Sequence, residues 1–147
     1  MSTSEVIRDV RATPGQVWRV LADGWLYGGW VVGASTIRDV DVTWPEPGAK
    51  IHHSSGMWPL LLSDTTVMLE SRPEELVVLQ AKGWPLGEAT VRLLLEPVPG
   101  GTRLRMTEDA SRGPGRVVPG PLRQAALRPR NRESLRRLAL IAENKRN

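Results

Sequence analysis

With 147 residues and no cysteine, the chain is long enough for a single domain (1–147) that removes about two thirds of its unfolded surface from water, while disulfides, thiolate metal sites and a cysteine nucleophile are excluded. Apolar residues at 40% and charged ones at 24% describe a globular rather than a disordered protein. Charge is uneven: residues 1–111 hold 10 Lys and Arg against 14 Asp and Glu and residues 112–147 hold 10 against 2, so an acidic body at −4 precedes a basic tail at +8, summing to +4.

Met1 is followed by the polar run Ser2-Thr3-Ser4-Glu5 with no basic and apolar leader, and no apolar run reaches the roughly 18 residues of a membrane span, so a cytoplasmic protein is expected. Residues 5–11 read as an opening strand. Thr13, Pro14 and Gln16 then have the spacing of an N-cap, a first-turn proline and a capping box, so a helix starts there, with Val17, Val20 and Leu21 as its apolar stripe and Asp23-Gly24 as its end. Trp25, Tyr27 and Trp30 crowd a short helical turn. From Ser35 onward, clusters at Pro45-Glu46-Pro47-Gly48, Pro59, Arg72-Pro73-Glu74-Glu75, Pro85-Leu86-Gly87 and Pro99-Gly100-Gly101 separate about six strands of an antiparallel meander. Val91, Leu93 and Leu95 alternate with Thr90, Arg92 and Glu96, broken only by Leu94 on the polar side, and Leu104 and Met106 alternate with Arg103, Arg105 and Thr107, so one sheet face is buried. Ser111 to Pro121, rich in Gly and Pro, is expected to be a loop or lid. Leu122 to Leu127 reads as a first helical piece, broken or kinked by Pro129 before an amphipathic helix from about Arg130 to Lys145, with Asn131, Leu135, Leu138 and Ala142 on its inner stripe and Glu133 and Arg137 as an i, i+4 pair. A curved antiparallel sheet gripped by a C-terminal helix encloses a cavity, which makes the fold class α+β and points to a small-molecule site.

The chain resembles the SRPBCC superfamily, the START-like or Bet v 1-like proteins, and particularly its polyketide cyclase/dehydrase-like members. The resemblance covers essentially the whole chain and rests on Ala12-Thr13-Pro14-Gly15-Gln16-Val17-Trp18, Trp30-Val31-Val32-Gly33-Ala34, Trp44-Pro45-Glu46-Pro47-Gly48, the strand from Gly101-Thr102 to Glu108, and Arg130-Asn131-Arg132-Glu133-Ser134-Leu135. It implies a β-α-α-β6-α helix-grip arrangement with a long cavity between the sheet and the last helix. It also implies a lipid- or polyketide-like ligand, carried, sensed or cyclised. Pro129 before the last helix and the lack of any Phe depart from that pattern and leave Trp and Met to shape the pocket.

Glu108 continues the inward phase of Leu104 and Met106, and a carboxylate pointed into an apolar interior titrates high unless a donor is close, which suits a general base or a ligand-hydroxyl anchor. The alternative is that the strand has ended and Glu108 faces solvent or pairs with an arginine such as Arg112. Ile51, His53, Ser55 and Met57 share an inward phase, so His53 is the second acid–base candidate, against the alternative of a hydrogen-bonded histidine at the rim. Trp25, Tyr27, Trp30, Met57, Trp58, Met68, Trp84 and Met106 are candidates to line a cavity for a flat, apolar ligand, with Tyr27, the one phenol, as its donor.

Gly115 and Gly120 have phosphate-loop spacing, but Pro121-Leu122 stands where Lys-Ser/Thr is required. His52-His53 lacks zinc-hydrolase spacing and no Gly-x-Ser-x-Gly elbow occurs, so no metal and no cofactor are expected. Arg112, Arg116, Arg123, Arg128, Arg130, Arg132, Arg136 and Arg137 could form a phosphate-contacting stripe for nucleic acid or an acidic partner, yet the acidic body and the lack of an aromatic stacking platform favour a solvated helix face. The expected partner is a small apolar ligand, bound or converted.

Overall fold

The computed structural model describes residues 5–32, 34–55, 62–83, 87–113 and 117–144. Strand β1 (Val6–Val10) leads into helix α1 (Pro14–Ala22), a 3-10 turn (Gly24–Leu26) and helix α2 (Tyr27–Trp30). Six strands follow, β2 (Ala34–Val40), β3 (Lys50–Ser55), β4 (Leu62–Arg72), β5 (Leu76–Gly83), β6 (Gly87–Val98) and β7 (Gly101–Arg112), before helix α3 (Gly120–Asn144) closes the chain. This is the Bet v 1-like helix-grip arrangement in the order β-α-α-β6-α.

The local causes are those written in the sequence. Thr13 Oγ1 accepts from Gln16 N at 3.1 Å while Gln16 Oε1 accepts from Thr13 N at 2.8 Å, a complete capping box that satisfies two otherwise orphaned donors. Val17, Val20 and Leu21 form the buried stripe of α1. Asp23 ends that helix and its side chain starts the next turn by accepting from Trp25 N at 3.2 Å. The strands form one antiparallel sheet in the order β1-β7-β6-β5-β4-β3-β2. Every neighbouring pair except β1 and β7 is joined directly in sequence, as a meander requires. Inward positions of β6 (Val91, Leu93, Leu95) and β7 (Thr102, Leu104, Met106, Glu108) are buried, with Arg92 exposed between them.

The last helix departs from expectation. It runs unbroken from Gly120 to Asn144 with Pro129 inside it. Proline has no N–H for the carbonyl of Ala125, but both residues are exposed, so water satisfies that carbonyl and the break is avoided. The connection before it is also shorter than Ser111 to Pro121, because β7 runs to Arg112 and α3 starts at Gly120. Leu127, Asn131, Ser134, Leu135, Leu138, Ala139 and Ala142 form the buried face of α3. Leu135, Leu138, Ala139 and Ala142 join one core with Val17, Val20, Ile51, Met68, Leu93 and Leu104. No helix among the described residues is long and apolar enough to cross a membrane.

Candidate functional site

Two polar groups stand on the buried face of the sheet, at opposite sides. On β3, His53 occupies the inward phase set by Ile51 and is buried; its Nε2 lies 3.0 Å from Thr66 Oγ1 on the adjacent β4. The Thr66 hydroxyl, itself fully buried, lies 2.9 Å from the Tyr27 hydroxyl contributed by α2. A chain of three side chains therefore crosses from sheet to helix. Hydroxyl protons turn freely, so the chain runs either way. With Nε2 donating to Thr66 and Thr66 to Tyr27, Nδ1 is a bare acceptor; with the order reversed, Nδ1 carries the proton. In either state Nδ1 is buried without a hydrogen-bond partner among the described residues.

On β7, Glu108 is buried as its alternation predicts, but it is not alone: Arg130 reaches in from α3 and places Nη2 2.6 Å from Glu108 Oε2. The partner is Arg130 rather than Arg112, and the carboxylate has the close donor whose absence was the condition for a strong general base. Gln124 Nε2 donates to the Glu108 main-chain carbonyl at 2.8 Å, and Arg123 pairs with Asp109 and donates to Val118 O. The first half of α3 is thus tied to the end of β7 through polar contacts.

Glu108 and His53 are separated by three intervening strands, so they do not form a direct acid–base pair. Tyr27 is hydrogen-bonded on the His53 side, through Thr66, and feels the charges of Glu108 and Arg130. Its phenol is pushed up to about 12, chiefly by burial, with the Glu108 carboxylate adding to the rise and the Thr66 hydrogen bond and Arg130 opposing it. Burial also holds the His53 imidazole below its ordinary range, helped by Arg38 and His52 and opposed by the Asp64 carboxylate. Both rings are neutral hydrogen-bonding groups at neutral pH. The Tyr27 ring lies 5.6 Å from His53, tilted by 31°, and 5.7 Å from Trp30 in an edge-on arrangement.

Of the other expected lining residues, Trp30, Met68 and Met106 are buried in the core. Trp25 is not brought to them: it is 57% exposed, because the 3-10 turn points it away from the sheet and into a surface groove. Met57, Trp58 and Trp84 lie outside the described residues. Sequence reasoning missed Thr66, and it placed Arg130 in a solvated stripe although the residue turns inward. Arg123 is likewise held by Asp109, and Arg136 and Arg137 by Glu133. Of that series Arg128 and Arg132 are exposed, with no ion-pair partner among the described residues.

Solved structures share this architecture. A protein from Rhodobacter sphaeroides, 25% identical, superposes with a TM-score of 0.72 over 97% of this chain and 92% of its own. Ara h 8.0201, 9% identical, superposes at 0.74 over 98% and 99% of the two chains. The di-domain ARO/CYC StfQ of the steffimycin biosynthetic pathway, 14% identical, superposes at 0.72 over 97% of this chain and 50% of its own. No curated protein matches the sequence. The model of the family described as polyketide cyclase / dehydrase and lipid transport matches residues 1–143, which supports a hydrophobic ligand-binding or cyclase role. With that match over nearly the whole chain and a helix-grip fold to go with it, the protein belongs to the polyketide cyclase/dehydrase and lipid transport family.

Proposed function

We propose that the chain binds a small, largely apolar ligand carrying one hydroxyl or carbonyl group, held between the buried face of the sheet and α3 with its polar group on His53. The observation that carries this reading is the partnerless His53 Nδ1 at one end of the His53-Thr66-Tyr27 chain. An unsatisfied buried polar atom costs about 1–3 kcal/mol. A ligand hydroxyl or carbonyl removes that cost, and the reversible direction of the chain suits either one. The surrounding Trp30, Met68 and Met106 provide apolar, adaptable surface for the rest of the molecule.

The test is native mass spectrometry of freshly purified protein, followed by extraction of whatever it carries. The expected result is an apolar compound with one hydroxyl or carbonyl, its occupancy reduced about tenfold in His53→Phe. Equal occupancy in that variant would remove His53 from the site.

A second reading, that the protein is a polyketide cyclase/dehydrase-like enzyme, is favoured by one specific feature: a chain of exchangeable protons ends at Tyr27, whose surroundings include Glu108 and Arg130. Glu108→Gln separates the two. Retained binding with lost turnover of a poly-β-ketone substrate supports the enzyme; unchanged binding and turnover excludes a catalytic part for Glu108.

A further inference from the structure

Three of the six tryptophans gather outside the region between sheet and helix. Trp18 on α1, Trp25 in the 3-10 turn and Trp44 in the turn after β2 line an open groove of about 500 Å3 together with Arg19, Asp23 and Asp41. Among its lining residues Val42 is wholly exposed and Trp25 is 57% exposed, so two large apolar side chains meet water at one groove. The groove has a built floor. A Cβ on Gly24 would lie 2.6 Å from Val40 Cγ1 and 3.3 Å from Trp44 Cδ1, so glycine is what lets the turn settle against β2. Trp44 Nε1 donates to Leu21 O at 3.1 Å, tying that indole to α1 by its edge. None of the three indoles stacks on another aromatic ring among the described residues, where the ring contacts are those of Tyr27 with Trp30 and His53. Trp18 and Trp44 are partly buried with part of their surface against the core, and Trp25 is the exposed indole of the three.

The carboxylates decide what chemistry fits. Asp23 Oδ1 accepts from Trp25 N at 3.2 Å, Asp41 Oδ2 accepts from Lys50 N at 3.0 Å, and Asp41 Oδ1 lies 3.2 Å from His52 Nε2. Three of the four oxygens are therefore engaged, and the two groups contribute negative potential rather than vacant acceptors. A sugar requires vacant acceptors around its platform. A quaternary ammonium requires none: its charge is spread over methyl groups, and it is held by aromatic faces, indole best of all, in a field of negative sign. Two carboxylates against the Arg19 guanidinium leave the lining at −1. We propose that this groove is a binding site for a trimethylammonium group, separate from the buried apolar site and independent of the reading proposed for it.

The experiment titrates the protein with choline chloride and, separately, with choline's uncharged analogue in which a tert-butyl group replaces the trimethylammonium, following the indole N–H signals by NMR. Choline is expected to move the Trp18, Trp25 and Trp44 signals saturably, and the analogue to bind about tenfold more weakly. Trp25→Ala, at an exposed position that the fold does not need, weakens choline about five- to tenfold. Asp23→Asn keeps the acceptor that caps the turn while removing its charge, and weakens choline several-fold. Sedimentation with phosphatidylcholine vesicles, competed by choline, would identify the group as a lipid head; choline binding without sedimentation would identify a free cation. Equal affinity for the uncharged analogue, unchanged affinity in Trp25→Ala, or no response to either choline or vesicles would overturn the proposal.

Discussion

Burial acts on Tyr27 and His53 in the same sense, keeping each ring uncharged, and the consequence for His53 is measurable. Its ordinary value is 6.5 and burial holds it lower in the folded protein. Below that value the unfolded chain takes up a proton that the folded chain refuses, so the unfolded state binds more protons and stability falls as pH falls, until the folded ring also titrates. Stability supplied by the neutral ring is thus complete above 6.5 and is lost on the acidic side. Urea midpoints of the wild type should drop between about pH 7 and about pH 5, and those of His53→Gln should drop less. Equal drops would show that burial of the imidazole is not the controlling influence. The inward phases of His53 and Glu108 were legible because a strand's period of two carries a known phase forward from Ile51 and from Leu104 and Met106. Thr66 was hidden by the same rule: in β4 the apolar Val67 and Leu69 occupy the opposite phase, with Leu69 exposed, while the inward positions hold Thr66 and Met68. The pairing of Ile51 with Thr66 in the sheet fixes that phase, and pairing between strands is not written in either strand alone.

At the scale of elements, α1 was readable to within a residue because every signal of its start and end is local: cap, proline, box and stripe. That α3 continues through Pro129 is not legible in the sequence, because proline's cost depends on what surrounds the carbonyl it leaves unpaired, and exposure is a property of the folded molecule. That same reasoning predicts that Pro129→Ala, which restores an N–H for the Ala125 carbonyl and removes the ring's clash with it, stabilises the protein by about 1–3 kcal/mol in chemical denaturation. A neutral or destabilising result would mean that the helix is shaped to need its proline. The two halves of α3 are also held differently. Residues after Pro129 supply Asn131, Ser134, Leu135, Leu138, Ala139 and Ala142 to the interior, whereas the first half buries Leu127 and otherwise grips β7 through Gln124 and Arg123. Arg130, at the joint, holds Glu108. Its direction was invisible in a sequence where eight arginines share one segment, because charge pairing across the fold, not helical spacing, selects which of them turns in.

For the molecule as a whole, the close approach of the first strand to the last is the least forgiving contact. A Cβ on Gly101 would lie 1.9 Å from Val10 O and 2.9 Å from Val10 C, while Thr102 Oγ1 donates to Ala12 O at 2.7 Å and Arg11 N donates to Glu143 Oε2 at 2.9 Å. Backbone cannot yield as a flexible side chain does, so Gly101→Ala should cost about 3 kcal/mol. Its neighbour Gly100 has open space around it but a φ of +85°, so Gly100→Ala should cost only about 1 kcal/mol, from backbone conformation alone. Thermal melts of the two variants check the ranking, and a reversed order would show that the hairpin's backbone, not the Val10 contact, limits the site.

That pairing has a meaning for how the chain comes into being. Val6 pairs with Met106, Arg8 with Leu104 and Val10 with Thr102, so β1 finds its partner only after β2 to β6 have been made. From β3 to β7 each strand meets a partner made directly before it, and that part of the sheet can grow in the order of translation. β1 alone must wait, its Val6 and Val10 unburied, until the final hairpin arrives to take it in. Seating of β1 at the edge of the sheet therefore depends on the β6–β7 hairpin, however early β1 itself is made.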